Sequence, residues 1–369
     1  MTEDRQSDVI VVGAGQAGCA AAQDLAMAGL SVCVLDRDPE RVLKPCAGGI
    51  TIKSLNRYRF AIDSVVRERH QSLHVSWNSR RQARLDAGMD MALMTDRPEL
   101  DLLCRAQLQQ AGATLEPSGT LQRIEQDDLG VRLITSSGHY RAGWLIAADG
   151  ANSRVRRLVM GGSHLRGAFA IEGLIARDQV SQWPGMQMDF GALPGGYGWL
   201  FPKGDHVNVG LYLSHHRHQC ANRDALAAYS RAQLGSDALY RIQGYPLGTW
   251  APQTAAACGR VLFAGDAAGY TETLLGEGIY GALLSGQAAA AAIISQHNVA
   301  AGYQRAMCDW QEELHRVQWL TRLFYGALPL AYGVLRHVVG DPLARGLGRG
   351  WTLGRTVRHW RRSSRFSGA

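Results

Sequence analysis

The chain has 369 residues, 46% of them hydrophobic and 19% charged, which excludes a disordered or fibrous protein and predicts two domains, or one large domain with an insertion. The net charge of +7 comes from the region after residue 330, where eight arginines accompany one acidic residue, and this argues against nucleic-acid binding by the whole molecule. Seven cysteines without paired spacing argue against a disulfide framework or a zinc site. The polar N-terminus argues against a secretory signal, so we predict a cytoplasmic protein.

A strand–helix–strand unit is predicted at the start of the chain. The apolar run Val9–Val12 is typical of a strand buried on both faces. The GxGxxG motif of residues 13–18 (GAGQAG) follows, then an alanine-rich helix to about Ala28 and a second buried strand over residues 31–35. Asp36 closes this strand 18 residues after the motif, about where a ribose-binding acid is expected. The unit predicts a dinucleotide-binding site.

The pattern of predicted secondary structure changes twice after this unit. Residues 166–213 favour short strands, and the alternation over 206–213 predicts a half-buried antiparallel strand. The other predicted elements are a helix from Pro98 to about Ala111, strands over 114–148, a buried strand over 261–266 with a long helix after it, and helices over 301–340.

This order predicts an α/β protein in which a discontinuous, Rossmann-like first domain carries an inserted antiparallel sheet domain, with a helical region at the C-terminus. The predicted first domain comprises residues 1–75, 95–160 and 255–300. The predicted second domain comprises residues 76–94 and 161–254, and the C-terminal region with its basic tail comprises residues 301–369.

Two further motifs distinguish a flavin protein from a nicotinamide dehydrogenase. Each follows the end of a predicted strand: ADGANSR over residues 148–154 and GDAAG over residues 265–269. Asp266 is placed to accept a hydrogen bond from a ribityl hydroxyl. The helix that begins near Gly278 would direct its N-terminal N–H groups at the flavin and favour an anionic reduced ring.

The three motifs together resemble the flavoprotein fold of aromatic hydroxylases such as p-hydroxybenzoate hydroxylase. Within that fold, three stretches resemble the geranylgeranyl reductase family. Residues 194–202 (PGGYGWLFP) match the PxxYxWxFP motif, residues 275–286 match the GEGI…A..SG stretch, and residues 44–49 (KPCAGG) are similar to a cysteine loop near the isoalloxazine ring. The resemblance covers about residues 8 to 300.

The resemblance implies non-covalent FAD, reduced by NAD(P)H or another small reductant. Together with the motifs it gives these candidate cofactor-binding residues: Gly13, Gly15, Ala17, Gly18, Asp36, Arg37, Cys46, Ala47, Gly49, Arg97, Leu121, Asp149, Asp266, Gly276, Gly278 and Ile279.

Three residues are candidate catalytic residues: Cys46, Tyr197 and Trp199. The two aromatic residues lie two apart on a strand, so with Phe201 they form one aromatic wall suited to a polyprenyl chain or an aromatic ring. The alternatives are a sheet face packed as core and a buried structural thiol. No metal site is predicted, and residues 215–218 (HHRH) are interpreted as a solvated turn.

The predicted function is FAD-dependent reduction of carbon–carbon double bonds in a prenyl or similarly apolar substrate. One alternative is a monooxygenase that hydroxylates an aromatic or lipid-like metabolite. The other is a membrane-associated flavin module that transfers electrons and converts no organic substrate.

An uncharged run over residues 323–335 precedes the basic tail. It is too short to span a bilayer, and Pro329 predicts a helix break within it. Apolar residues beside a cationic, tryptophan-bearing tail favour peripheral contact with an anionic membrane, at the inner face of the cell membrane. The alternative is a helical pair packed on the flavin domain with a solvated basic end.

Overall fold

A computed structural model describes residues 4–40, 44–161, 166–215, 220–251 and 254–366. The strands in chain order are β1 (Arg5–Val12), β2 (Val32–Asp36), β3 (Gly49–Thr51), β4 (Val66–His70), β5 (Ser72–Trp77), β6 (Arg80–Asp86), β7 (Ala92–Thr95), β8 (Thr114–Pro117), β9 (Leu121–Gln126), β10 (Val131–Thr135), β11 (Gly138–Ala147), β12 (Arg166–Ala176), β13 (Gln187–Phe190), β14 (Gly196–Pro202), β15 (His206–Leu213), β16 (Tyr240–Thr249), β17 (Ala257–Cys258) and β18 (Val261–Phe263).

The helices in chain order are α1 (Gln16–Met27), α2 (Ile52–Leu55), α3 (Arg97–Gln110), α4 (Arg154–Met160), α5 (Arg223–Leu234), α6 (Ile279–Ser295), α7 (Val299–Gly326), α8 (Leu328–Val334), α9 (Gly340–Gly348) and α10 (Leu353–Phe366). A π-helical segment, Leu335–Val339, joins α8 to α9.

The first sheet is the predicted dinucleotide-binding sheet. Its order is β17-β18-β11-β1-β2-β8, with β10 paired to β11 and β9 paired to β10. The β18, β11, β1, β2 and β8 strands are parallel neighbours. Helices α1 and α6 pack on it through small side chains, and β1 is fully buried over Val9–Val12 as its continuous apolar run predicts.

The second sheet is the predicted inserted sheet, with the order β16-β12-β15-β14-β13-β5-β6 and mostly antiparallel pairs. A small third sheet has the strand order β3-β7-β4. The α/β class with a discontinuous first sheet, an antiparallel sheet and C-terminal helices is confirmed. The domain division stays a prediction, and two of its boundaries fall within strands: the one after residue 75 lies in β5, and the one after residue 94 lies in β7.

The prediction of a half-buried strand over 206–213 is wrong, since all eight residues of β15 are buried. The alternation is real, but neither face meets solvent. Val207, Val209 and Leu211 pack with α5, whereas Tyr212 on the other face packs with the aromatic residues of β14. A pattern of period two reports two different environments, and here the more polar face is covered by the aromatic side chains of β14, since Asn208 and Gly210 both lie against Trp199.

Candidate active site

A single cavity of about 800 Å³ is bordered by both large sheets. The first sheet contributes glycines and polar residues from the carboxyl ends of its strands, where ligands bind in open α/β sheets. The second sheet contributes an almost entirely apolar surface of aromatic, aliphatic and methionine side chains. The cavity therefore has the two chemical parts that a flavin and an apolar substrate require.

The glycine motif brings the backbone close to the cavity. Gly13 has φ +103°, and a Cβ there would lie 2.4 Å from the Ala148 carbonyl oxygen. A Cβ on Gly18 would lie 1.9 Å from the Gly13 carbonyl oxygen, so this glycine permits close packing of α1 on its strand. Gly18 is the one candidate cofactor-binding residue that does not border the cavity as described.

Asp36 ends β2 beside this turn. Its carboxylate accepts hydrogen bonds from the Ala14 N–H at 2.7 Å and the Asp38 N–H at 3.0 Å. These bonds fix the carboxylate at the cavity edge, as a ribose-binding acid requires.

Helix α3 places two arginines at the cavity that share one helix face. Arg97, a predicted cofactor-binding residue, borders the cavity, pairs with Asp101 at 2.7 Å and is 6% exposed. Arg105 is equally buried and donates to the Asp38 carbonyl at 3.0 Å. The sequence analysis missed Arg105, although the spacing of 97, 101 and 105 on a helix could have indicated it.

The segment Lys44–Gly48 borders the cavity without regular secondary structure and leads into β3. Lys44 Nζ pairs with Asp266 Oδ2 at 2.9 Å, and Thr271 Oγ1 donates to the same carboxylate at 2.7 Å. Burial opposes ionisation of Asp266, but the adjacent Lys44 ammonium holds its pKa below the ordinary value. The anionic carboxylate thus borders the cavity at the start of the GDAAG motif.

Helix α6 begins at the cavity. Gly278 caps it, and a Cβ on Gly278 would lie 2.8 Å from Thr271 Oγ1, so the close approach requires glycine. Glu277 accepts from the Tyr280 N–H at 3.0 Å and pairs with buried Lys53 at 2.7 Å. This ion pair fixes the loop that precedes the helix.

The aromatic wall is present. Tyr197, Trp199 and Phe201 are each less than 10% exposed, with centroid distances of 6.1 and 6.3 Å between successive rings. All three border the cavity, although they also pack within a hydrophobic cluster. Sequence reasoning missed Glu172, which borders the cavity from β12; a lone carboxylate in an apolar strand was the available signal.

The remaining candidates also border the cavity: Gly13, Gly15, Ala17, Asp36, Arg37, Cys46, Ala47, Gly49, Leu121, Asp149, Asp266, Gly276, Gly278 and Ile279. Of the predicted solvated turn, His215 is exposed and residues 216–218 lie outside the described residues. Among the described residues, no helix is long and apolar enough to cross a membrane.

Comparison with known proteins identifies the family. The sequence matches the family model of the FAD binding domain over residues 6–172. The chain is 30% identical over 319 residues to the chloroplastic geranylgeranyl diphosphate reductase of Oryza sativa, covering 79% of this chain and 67% of the rice protein. The chain belongs to the geranylgeranyl reductase family.

Two further proteins match this geranylgeranyl reductase family member over a larger share of their own length. Digeranylgeranylglycerophospholipid reductase 2 of Methanopyrus kandleri is 28% identical over 337 residues, covering 83% of this chain and 82% of that protein. The structure of a geranylgeranyl bacteriochlorophyll reductase-like protein from Thermoplasma acidophilum superposes with a TM-score of 0.82 at 20% identity, covering 97% and 99% of the two chains. That likeness confirms the fold.

The protein is therefore an FAD-dependent oxidoreductase, as predicted, and its residues fit this cofactor. Gly13 and Gly278 leave room that a Cβ would fill, Asp36 and Asp266 offer anionic acceptors at two strand ends, and the start of α6 borders the same cavity. This combination is what a dinucleotide with a flavin ring requires. The family relatives support a reductase over the monooxygenase alternative.

Proposed function

We propose that this protein reduces carbon–carbon double bonds in a prenyl chain. The observation that carries the proposal is one cavity that joins the dinucleotide-binding residues of the first sheet to the apolar wall of the second. An isoprenoid chain offers no polar group along its length, and a wall of aromatic and methionine side chains matches it.

The apolar wall excludes water and orients the chain. The rings of Tyr197 and Trp199 present their faces, because their polar atoms bond within the protein. When bound, FAD supplies the hydride, with NAD(P)H or another small reductant as the electron source. Asp36, Asp266 and the start of α6 would hold that cofactor, and Cys46 borders the same cavity.

The proposal includes peripheral contact with a membrane, because a prenyl lipid resides there. Several apolar side chains near the C-terminus are exposed: Leu320 (38%), Leu323 (68%), Leu330 (72%), Val334 (42%) and Val338 (50%). Exposed Arg322 and Arg336 lie among them in sequence. Apolar residues with flanking cations suit the inner face of an anionic membrane, which would place the enzyme on the cytoplasmic side.

The test is anaerobic turnover of FAD-loaded protein with dithionite and geranylgeranyl diphosphate or a geranylgeranylated glycerolipid. Mass spectrometry should find two added hydrogen atoms per reduced bond. A Gly13→Val control should lose both FAD and reduction, because its side chain would overlap the Ala148 carbonyl. A product that gains oxygen and forms only in air would instead establish the monooxygenase. Electron transfer to a quinone with no prenyl product would establish an electron-transfer module.

A further inference from the structure

The irregular segment Lys44–Gly48 is held by contacts from three directions. Next to the first sheet, Asp266 pairs with Lys44 at 2.9 Å. The third sheet contributes Thr95, whose N–H donates to the Gly48 carbonyl at 2.9 Å. The second sheet contributes Glu172, whose carboxylate accepts from the Cys46 N–H at 2.8 Å. Among the described contacts, the hydrogen bond to Glu172 is therefore the one that connects Cys46 to the second sheet.

Glu172 lies in the interior of that sheet, since β12 pairs with β15 on one side and β16 on the other. The side chain is half-buried and borders the cavity. Its neighbours Ile171 and Leu174 are apolar, and Ile171 packs in the core under α5. A carboxyl group at this position costs folding free energy compared with an apolar side chain, so packing does not explain it.

Paired residues of the second sheet connect Glu172 to the aromatic wall. Glu172 of β12 pairs with Gly210 of β15, and Gly210 pairs with Trp199 of β14. A Cβ on Gly210 would lie 2.0 Å from the Trp199 ring, so the indole covers this glycine. The Trp199 indole N–H donates to Asn208 Oδ1 at 2.7 Å, and Asn208 is 1% exposed. Glu172 therefore lies in the same row of the sheet as Trp199 and also accepts from the Cys46 N–H.

The electrostatic surroundings suit an acceptor. Burial raises the pKa of Glu172, and this is opposed by the Lys203 ammonium, the Cys46 N–H, the Asn208 amide and the Arg97 guanidinium. A carboxyl oxygen accepts from a backbone N–H in either protonation state, so the bond to Cys46 persists across this titration.

We propose that Glu172 is a positioning residue that fixes Cys46 relative to Trp199. The inference rests on the proposed function in that Cys46 and the wall meet the substrate there. Glu172 acts through the Cys46 backbone and needs only an acceptor oxygen, which a glutamine also provides.

The test uses the FAD-loaded full chain and measures alkylation of Cys46 by iodoacetamide, resolved by peptide mass spectrometry. In Glu172→Ala the segment loses its bond to β12, and Cys46 should be labelled about fivefold faster, the order set by the loss of one ordinary hydrogen bond. Glu172→Gln should restore the wild-type rate. Prenyl reduction should follow the same order without loss of FAD.

A matched control removes another buried carboxylate of the same sheet. Asp189 accepts from the Ser79 N–H at 2.8 Å and from Ser76 Oγ at 2.7 Å, and it does not border the described cavity. Asp189→Ala should lower the melting temperature and leave Cys46 labelling unchanged. If Glu172→Ala does not fold, Glu172→Leu keeps the volume and still removes the acceptor.

Unchanged labelling in the alanine or leucine variant would overturn the proposal. Equal labelling rates in Glu172→Gln and Glu172→Ala would also overturn it, because a hydrogen-bond acceptor at residue 172 would then not be sufficient to hold Cys46. Labelling is measured without substrate, so a wild-type protein that reduces no prenyl chain would contradict the proposed function alone.

Discussion

Individual aromatic residues of the wall satisfy their polar atoms inside the protein. Tyr197 OH donates to the Leu275 carbonyl at 2.6 Å, and Tyr212 OH donates to the Thr273 carbonyl at 2.8 Å. Burial raises the pKa of Tyr212, so this phenol stays protonated and continues to donate. The rings are thereby fixed in orientation and leave only their faces for an apolar ligand.

Trp199→Ala should reduce kcat/KM for a prenyl substrate at least tenfold, which is ~1.4 kcal/mol of transition-state binding, while FAD stays bound. The variant lacks the indole ring that borders the cavity between Tyr197 and Phe201. Steady-state kinetics and flavin absorbance measure the two effects. Trp183→Ala, a tryptophan outside the described cavity lining, should keep wild-type kinetics. A Trp199→Ala protein that fails to fold would identify Trp199 as core.

Among the elements, helix α8 of the C-terminal region has one packed side and one exposed side. The break predicted at Pro329 is confirmed, because α7 ends at Gly326 and Pro329 lies in the first turn of α8. One side of α8 packs on the second sheet, where Tyr332 OH donates to the Val75 carbonyl at 3.1 Å. On the other side, Leu330 and Val334 are exposed at a spacing of one helical turn.

The double variant Leu330→Glu, Val334→Glu should weaken binding to anionic vesicles, because it replaces apolar contact with charge repulsion. Vesicle flotation measures the effect, and wild-type protein should float with anionic but not neutral vesicles. Leu129→Glu, at a residue 82% exposed in a distant turn, should float like wild type. Equal flotation of the double variant, or none of the wild type, would contradict membrane contact. Substitution is preferable to truncation, since α9 packs against β6.

Across the molecule as a whole, buried charged residues form ion pairs and hydrogen bonds between segments near the cavity. Lys53 pairs with Glu277 at 2.7 Å, and its ammonium lies 4.9 Å from the Tyr280 ring centroid. Nearby Glu272 is 4% exposed and accepts from the Leu275 N–H at 3.1 Å. Burial raises the pKa of Glu272 to about 7, in spite of the Lys53 charge.

This titration predicts a pH dependence of stability. The folded protein retains the Glu272 proton up to about pH 7, whereas the unfolded chain releases it near pH 4.5. The free energy of unfolding therefore falls as pH rises through this window, since the folded state binds more protons. Glu272→Gln cannot lose a proton, so its stability relative to wild type should rise, on the order of 3 kcal/mol, across the window.

Urea unfolding at pH 4.5 and pH 8 measures this difference. Glu312→Gln, which removes a carboxylate 65% exposed on α7, is the matched control and should retain the wild-type pH dependence. An equal difference between Glu272→Gln and wild type at both pH values would contradict the assignment.

Local residue patterns predict the dinucleotide-binding unit, and the structure confirms its strand–helix–strand order. An apolar run such as Val9–Val12 directly before a GxGxxG turn and a helix is typical of a strand covered on both faces. These signals are local, because each depends on the backbone conformation and burial of neighbouring residues. The same holds for the helix break at Pro329, which lacks a backbone N–H.

What the irregular segments and alternating strands face depends on contacts between distant elements. Residues 46 and 172 lie 126 positions apart, and no local pattern records that they share a hydrogen bond. Periodicity likewise distinguished the two faces of β15 but could not tell a face covered by Trp199 from one exposed to solvent, since both accept polar side chains. The position of Arg105 and the exposed side of α8 follow the same rule: they depend on which distant element covers each surface, and that is set by packing of the whole chain.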